Sequence, residues 1–337
     1  KNTASYSGGG IEGTVYTVVA NTILWGNSLD QTGGDVNISF SNIENGYEGP
    51  GNISISPGFI DPDGKDNKSG TPDDNFHLSL GSPCIDSGSN GAAALPLTDA
   101  MHNTRIMDGK NDNFCIVDMG IYESPGPAGC PKPSEVWVDD DWKESTAGMA
   151  MDGYLFGATA FSQIQHAINA VKPPGTVNVA PGTYYETLVM KSGVEILGSG
   201  IDSTIIDGNA EGTTITATNV DSTSKIQAAT IQNGKSSTGG GLHIKNSEIK
   251  LIGLKIFGNT AYYRYNSDDK WYPERQLARG GGAYILGGAP TIESCIFYGN
   301  TAASANGQDT LGGGIYCESS SPSIDNCTFA FNYTVDH

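Results

Sequence analysis

Positive charge is what this chain has least of. Eighteen Lys and Arg stand against thirty-seven Asp and Glu, a formal net charge of −19 over 337 residues. Only four arginines occur, Arg105, Arg264, Arg275 and Arg279. Binding to nucleic acid or an anionic membrane surface rests on a basic patch, so both are excluded as partners. No run of eighteen apolar residues occurs, so no membrane insertion is expected. The six cysteines, Cys84, Cys115, Cys130, Cys295, Cys317 and Cys327, form no CxxC pair or other zinc-ligand spacing, and disulfides or buried thiols are expected. The chain opens at Lys1 with neither methionine nor a recognisable signal peptide, and reads as a processed product or a fragment. What is present is 37% apolar residues, enough for a core, and 46 glycines, roughly twice the usual share of about 7%.

Those glycines repeat. A triple glycine followed by an apolar residue begins at Gly239, Gly280 and Gly312, and again at Gly8. An asparagine follows the first glycine by 20 residues in three copies, at Asn259, Asn300 and Asn332, and by 19 in the fourth, at Asn27. Between these marks the copies read GGGLHIKNSEIKLIGLKIFGN, GGGAYILGGAPTIESCIFYGN, GGGIYCESSSPSIDNCTFAFN and GGGIEGTVYTVVANTILWGN. Each carries three short apolar segments with period-2 alternation, broken by Gly, Asn and Ser, which is strand patterning. About 20 residues with three strands and three turns make one rung of a parallel β-helix, and stacking puts equivalent residues in ladders along the axis. Cys295 and Cys327 match in consecutive rungs and are expected inside, and the closing asparagines are expected to form a hydrogen-bonded ladder with left-handed backbone at the corner. The connections between rungs vary in length: four residues after Gly234, twenty from Thr260 to Arg279, and eleven from Thr301 to Leu311.

Residues 161–171, FSQIQHAINAV, have apolar side chains at helical spacing and predict a short capping helix, stopped by Pro173, Pro174 and Gly175. VDDDW, AINAV, VAPGTYYETL and GSGIDSTIIDG, together with the GGG repeats, resemble the pectin-lyase-like right-handed β-helix superfamily of exported bacterial proteins. SPGFIDPDG, HLSLGSPCIDSGSN and VDMGIYES are similar to the module that closes many such proteins. The resemblance implies an all-β, right-handed parallel β-helix, secreted to the cell exterior or surface.

The order of segments is permuted. Residues 1–60 read as final rungs, 61–124 as the closing module, 125–135 as a proline-rich linker, 136–175 as the N-terminal cap, and 176–337 as rungs. Joining residues 333–337 to 1–7 gives a connection of twelve, beside eleven in the one before. The expected partners are other copies, head to tail, in a filament or a tandem-repeat fibre.

No catalytic constellation emerges, and the expectation is a non-enzymatic structural or adhesive element. The superfamily includes polysaccharide lyases, glycoside hydrolases and pectin methylesterases, so a carbohydrate-active enzyme or a glycan-binding module is the alternative. GQDTL resembles a methylesterase motif and would make Asp309 the acid or base, but its companion motifs are missing. His243 reads as a packed or surface ladder residue, and the central strands hold no expected arginine. Asp61, Asp63, Asp66, Asn67, Asp73 and Asp74, in DPDGKDNKSGTPDD, offer closely spaced oxygen ligands suited to calcium; Asp139 to Asp141, and Asp108, Asp112 and Asp118, are weaker versions. Arg105 is expected to pair with a carboxylate of the closing module. The connection after Asn259 gathers Tyr262, Tyr263, Arg264, Tyr265, Trp271, Tyr272, Arg275 and Arg279, a composition typical of binding hot spots. These are the candidates for contact with an acidic neighbouring copy, a polysaccharide or a cell-surface glycan.

Overall fold

The computed structural model describes residues 2, 8–28, 30–93, 95–111, 115–126, 132–145, 149–151, 153–264, 277–305 and 310–336. The chain divides into two compact units, one of residues 1–133 and 141–162, the other of residues 134–140 and 163–337. No helix among the described residues is long and apolar enough to cross a membrane.

The second unit is all-β apart from one short helix, and its strands stack in parallel. Seven strands, from Glu135–Val138 to Ser323–Asp325, form one sheet, six another, five a third and four a fourth, counted among the described residues. Each repeat from Gly239 onward gives one strand to every sheet, the last of them right after the closing asparagine. These fourth strands, Thr260–Arg264, Thr301–Ala305 and Tyr333–Asp336, lie where sequence reading places irregular connection. Ala278–Arg279 and Thr310–Leu311 pair at the far end of the same connections. Arg264 and Arg279 are therefore strand residues, contrary to expectation.

Inward-facing positions form continuous columns. Val136, Val177, Ile196, Ile226, Leu251 and Ile292 are in register, and each is fully buried. Tyr184, Ile206, Ile231, Ile256 and Phe297 form the second column, also buried. Burying one such side chain contributes roughly 1.5–3 kcal/mol, so these columns are the main source of cohesion.

The helix spans Ile164–Ala170 and buries Ile164, Ala167, Ile168 and Ala170. It is shorter than the apolar spacing predicts. Glu186 fixes its start by accepting the Ile164 and Gln165 N–H groups at 2.7 and 3.0 Å, and Phe161 lies in the strand Ala160–Phe161. Its end comes at Val171, whose extended backbone suits the approach to Pro173.

In the first unit Ile11–Ala20 pairs in parallel with Thr32–Ser39, and Ile23–Leu24 with Asn42–Ile43. Val19, Leu24, Val36, Ile38 and Ile43 pack between them as a core. Phe59–Asp61 and Asn75–Leu78 form an antiparallel pair, and Phe40 stacks on Phe156 at 5.4 Å.

Candidate functional site

The four GGG repeats share one local geometry, and each glycine has its own reason. The first is left-handed, with φ of +63 to +66° at Gly8, Gly239, Gly280 and Gly312, and a Cβ there would strike the carbonyl three residues on. The second lies against the carbonyl of the residue after the asparagine: Ser28, Thr260, Thr301 or Tyr333. The third leaves room for the asparagine amide itself, at Asn27, Asn259, Asn300 and Asn332. The spacing between glycines and asparagine is thus a packing requirement. Left-handed backbone does occur at the corner, but on the residue before the asparagine: Gly26, Gly258, Gly299 and Phe331.

The asparagines form a ladder. Asn300 Oδ1 accepts the Asn259 N–H and Nδ2 at 3.0 Å each, and Asn332 Oδ1 accepts the same two groups of Asn300 at 3.0 and 2.8 Å. Each amide also donates to a carbonyl of the neighbouring repeat, Asn300 to Ile256 and Asn332 to Phe297. The residue after each asparagine donates to the preceding one, Thr301 N–H to the Asn259 carbonyl at 2.9 Å and Tyr333 N–H to that of Asn300 at 3.0 Å.

Among the described residues, the 312–332 repeat is the last to contribute to the ladders and columns. Ile324 and Phe329 continue the two core columns in register, yet they are 43% and 47% exposed. Cys317 stands in register with the buried Ile285 and is exposed. The Asn332 N–H has no acceptor among the described residues, whereas those of Asn259 and Asn300 do.

The first unit contains a counterpart that sequence reading does not reveal. Ser28 N–H donates to the Asn2 carbonyl at 2.9 Å, and Asn2 Nδ2 donates to Asn27 Oδ1 at 3.0 Å. These are the bonds that Asn300 makes with Tyr333 and Asn332. Asn2 therefore occupies the ladder place ahead of Asn27. The available signal is KNTA at residues 1–4, beside GNTA at 258–261 and at 299–302.

The aromatic and arginine candidates are placed unevenly. Tyr262 and Tyr263 are half-buried in a strand, with Lys235 Nζ 5.5 Å from the Tyr262 ring centre. The Arg264 side chain, Tyr265, Trp271, Tyr272, Arg275 and Asp309 lie outside the described residues, as do Asp112 and Cys130. Arg279 bonds Glu318 at 2.6 Å and lies over Tyr316 at 5.4 Å, and Tyr284 O–H donates to the same Glu318 oxygen at 2.7 Å. His243 packs edge-on to Tyr284, and burial holds its imidazole below the usual range. In this cluster both donors meet the same oxygen, Oε2, of the Glu318 carboxylate.

In the acidic loop the carboxylates face their own backbone. Asp73 accepts the Lys65 and Asp66 N–H groups, Asp74 accepts that of Gly70, and Asp66 that of Lys68. Asp66, Asp73 and Asp74 converge on the Thr71 hydroxyl, at 3.3, 2.7 and 3.2 Å. Among the described residues, the three acidic groups whose oxygens come within 4.8 Å of one another are the consecutive Asp139, Asp140 and Asp141. Asp140 also accepts the Thr183 N–H at 3.3 Å.

The closing segment carries a buried network of residues far apart in sequence. Arg105 pairs with Glu123 at 2.6 Å, the carboxylate pairing expected of it. Asp118 accepts the Asp86 and Ser124 N–H groups, and Asp86 those of Gly109 and Lys110. Burial pushes the Asp86 carboxyl up to about 6, and it raises Asp118 and Glu123 as well, with the Asp118 charge adding to the effect on Glu123. A raised folded-state pKa means that the folded protein holds a proton more tightly than the unfolded chain does. This stabilisation is complete below the unfolded value of 3.8 and is lost as pH rises through about 6. The first unit is therefore expected to lose on the order of 2–3 kcal/mol between pH 4 and pH 7 through Asp86, since each tenfold difference in proton affinity is worth about 1.4 kcal/mol. Urea unfolding at both pH values checks this, because Asp86→Asn should reduce the difference by that amount. Equal pH dependence in both proteins would refute it.

Cys115 is disulfide-bonded, whereas Cys84, Cys295, Cys317 and Cys327 are free thiols. Comparison with protein-family models, curated proteins and solved structures gave no match.

Proposed function

We propose that the chain is a non-catalytic structural element of the cell exterior: a right-handed parallel β-helix that joins other copies end to end, rung on rung, in a fibre. The observation that carries this reading is the geometry that the 8–27 repeat shares with the 239–259, 280–300 and 312–332 repeats, with the same left-handed first glycine and the same room for the closing asparagine. Repeats of one geometry can stack on one another, and a strand edge is a template for another strand. The cell exterior suits the Cys115 disulfide, a bond that persists in oxidising compartments, and the strong negative charge.

A carbohydrate-directed reading has its best support in the Arg279, Tyr284, Tyr316 and Glu318 cluster. There Arg279 and Tyr284 both donate to one oxygen, Oε2, of Glu318. The test is sedimentation over a range of concentrations. Mass that grows with concentration, and that stops growing in Phe329→Asp at unchanged melting temperature, supports assembly. A single fixed mass with release of fragments from an acidic polysaccharide supports the alternative.

A further inference from the structure

We infer that the uncharged aromatic cleft of the first unit binds a neutral sugar ring, as a ligand and not as a substrate. The contact does not depend on end-to-end assembly, and it uses none of the charged residues around Glu318.

Strand alternation builds the floor of the cleft. Leu24 turns into the core with Val19 and Val36, so its neighbours Ile23 and Trp25 face the other side of the strand, where both are half-buried. The walls are the antiparallel pair Phe59–Asp61 and Asn75–Leu78, and the turn of residues 119–122. That turn is fastened to the floor. The Gly120 N–H donates to the Asn21 carbonyl at 2.8 Å, and a Cβ on Gly120 would lie 3.0 Å from Ile23 Cδ1. Phe59 and Phe76 meet edge to face at 5.3 Å, and the Tyr122 ring stacks on His77 at 3.9 Å, so the aromatic walls are held by their own contacts. The enclosed volume is about 400 Å³, inside the range of small-molecule sites.

Three features of the lining select the occupant. None of its residues is charged, in a chain of net charge −19, so a charged ligand would give up hydration without meeting a counter-charge. Apolar surface stands open to solvent there, with Phe76 42% and Ile121 59% exposed, which suits a ligand with apolar faces. The two amphipathic rings keep their polar ends free: the Trp25 Nε1–H and the Tyr122 O–H have no hydrogen-bond partner among the described residues. A pyranose meets all three conditions, being uncharged, with C–H bonds on its faces to lie against an aromatic ring and hydroxyls on its rim to accept from the indole and the phenol. An acyl chain would leave both donors unmet, and a uronic acid would bring a charge.

The experiment is calorimetric titration of the full chain, with saturation-transfer NMR, using methyl glucoside, methyl galactoside, methyl mannoside and N-acetylglucosamine beside glucuronic acid and cyclohexanol. At least one of the four neutral sugars is expected to bind with a dissociation constant on the order of 1 mM, about tenfold more tightly than the acid or cyclohexanol. Tyr122→Phe keeps the ring on His77 and removes only the hydroxyl; it is expected to weaken that binding about three- to tenfold at an unchanged melting temperature. Trp25→Ala is expected to weaken it by about tenfold or more. The inference is overturned if none of the four sugars binds, if glucuronic acid or cyclohexanol binds as tightly as the best of them, or if either variant, folded, binds as the parent does.

Discussion

Replacing Asn300 with alanine is expected to lower the stability of the second unit by about 3–5 kcal/mol, the sum of two or three buried polar groups left without partners. Asn300 is fully buried in the middle of the ladder. Its Oδ1 is the acceptor for the Asn259 N–H and Nδ2, and its amide serves both the Ile256 carbonyl and Asn332 Oδ1. Alanine removes all four bonds in a place that water does not reach. A loss of that size is a large share of the 5–15 kcal/mol typical of a whole domain. Urea unfolding of the variant measures it, and a loss under about 1 kcal/mol would show the ladder to be ornament. Asn332→Ala gives a comparison, because it removes the acceptor of the Asn300 N–H and Nδ2 and the donor to the Phe297 carbonyl, while Asn332 itself is only half-buried.

The second large effect compares two residues of one column. Ile226→Ala is expected to cost about 2–5 kcal/mol, the usual range for truncating a buried isoleucine where stacked neighbours above and below prevent collapse. Ile324→Ala removes the same atoms further along the register, beyond Leu251 and Ile292. It is nevertheless expected to cost under about 1.5 kcal/mol in the dilute chain, since nearly half of that side chain is exposed. Thermal unfolding at low concentration separates the two. Equal costs would mean that Ile324 is covered by something and that the open rung is not open.

Much of this architecture is written in the sequence, for a physical reason. A glycine needed at three consecutive places, each to clear a carbonyl or an amide, and an asparagine 19 or 20 residues later, leave a spacing that can be read without coordinates. The apolar columns are legible because period-2 alternation survives even in strands of three residues such as Lys250–Ile252 and Thr291–Glu293. The fourth strand is not. Thr260–Arg264 and Thr301–Ala305 carry alanine inward, at Ala261 and Ala302, and small residues give no periodic signal. Asparagine tolerates left-handed backbone, which makes it the expected corner residue, whereas the preceding glycine takes that conformation and frees the asparagine for its ladder. The network of Asp86, Arg105, Asp118 and Glu123 is half visible: the arginine must find a carboxylate, but which one depends on a fold that brings residues 86 and 118 together. Asn2 gives little signal because its partner, Asn27, lies 25 residues away and its own repeat is represented by little more than KNTA.

The central claim is the proposal that repeats of one geometry stack rung on rung from one copy into another. Electron microscopy of the concentrated chain tests it most directly, at a resolution that separates strands about 4.8 Å apart. The account predicts elongated particles in which parallel strands continue without a gap from one copy into the next. Separate particles at every concentration, each with Ile324 and Phe329 still facing solvent, would contradict it.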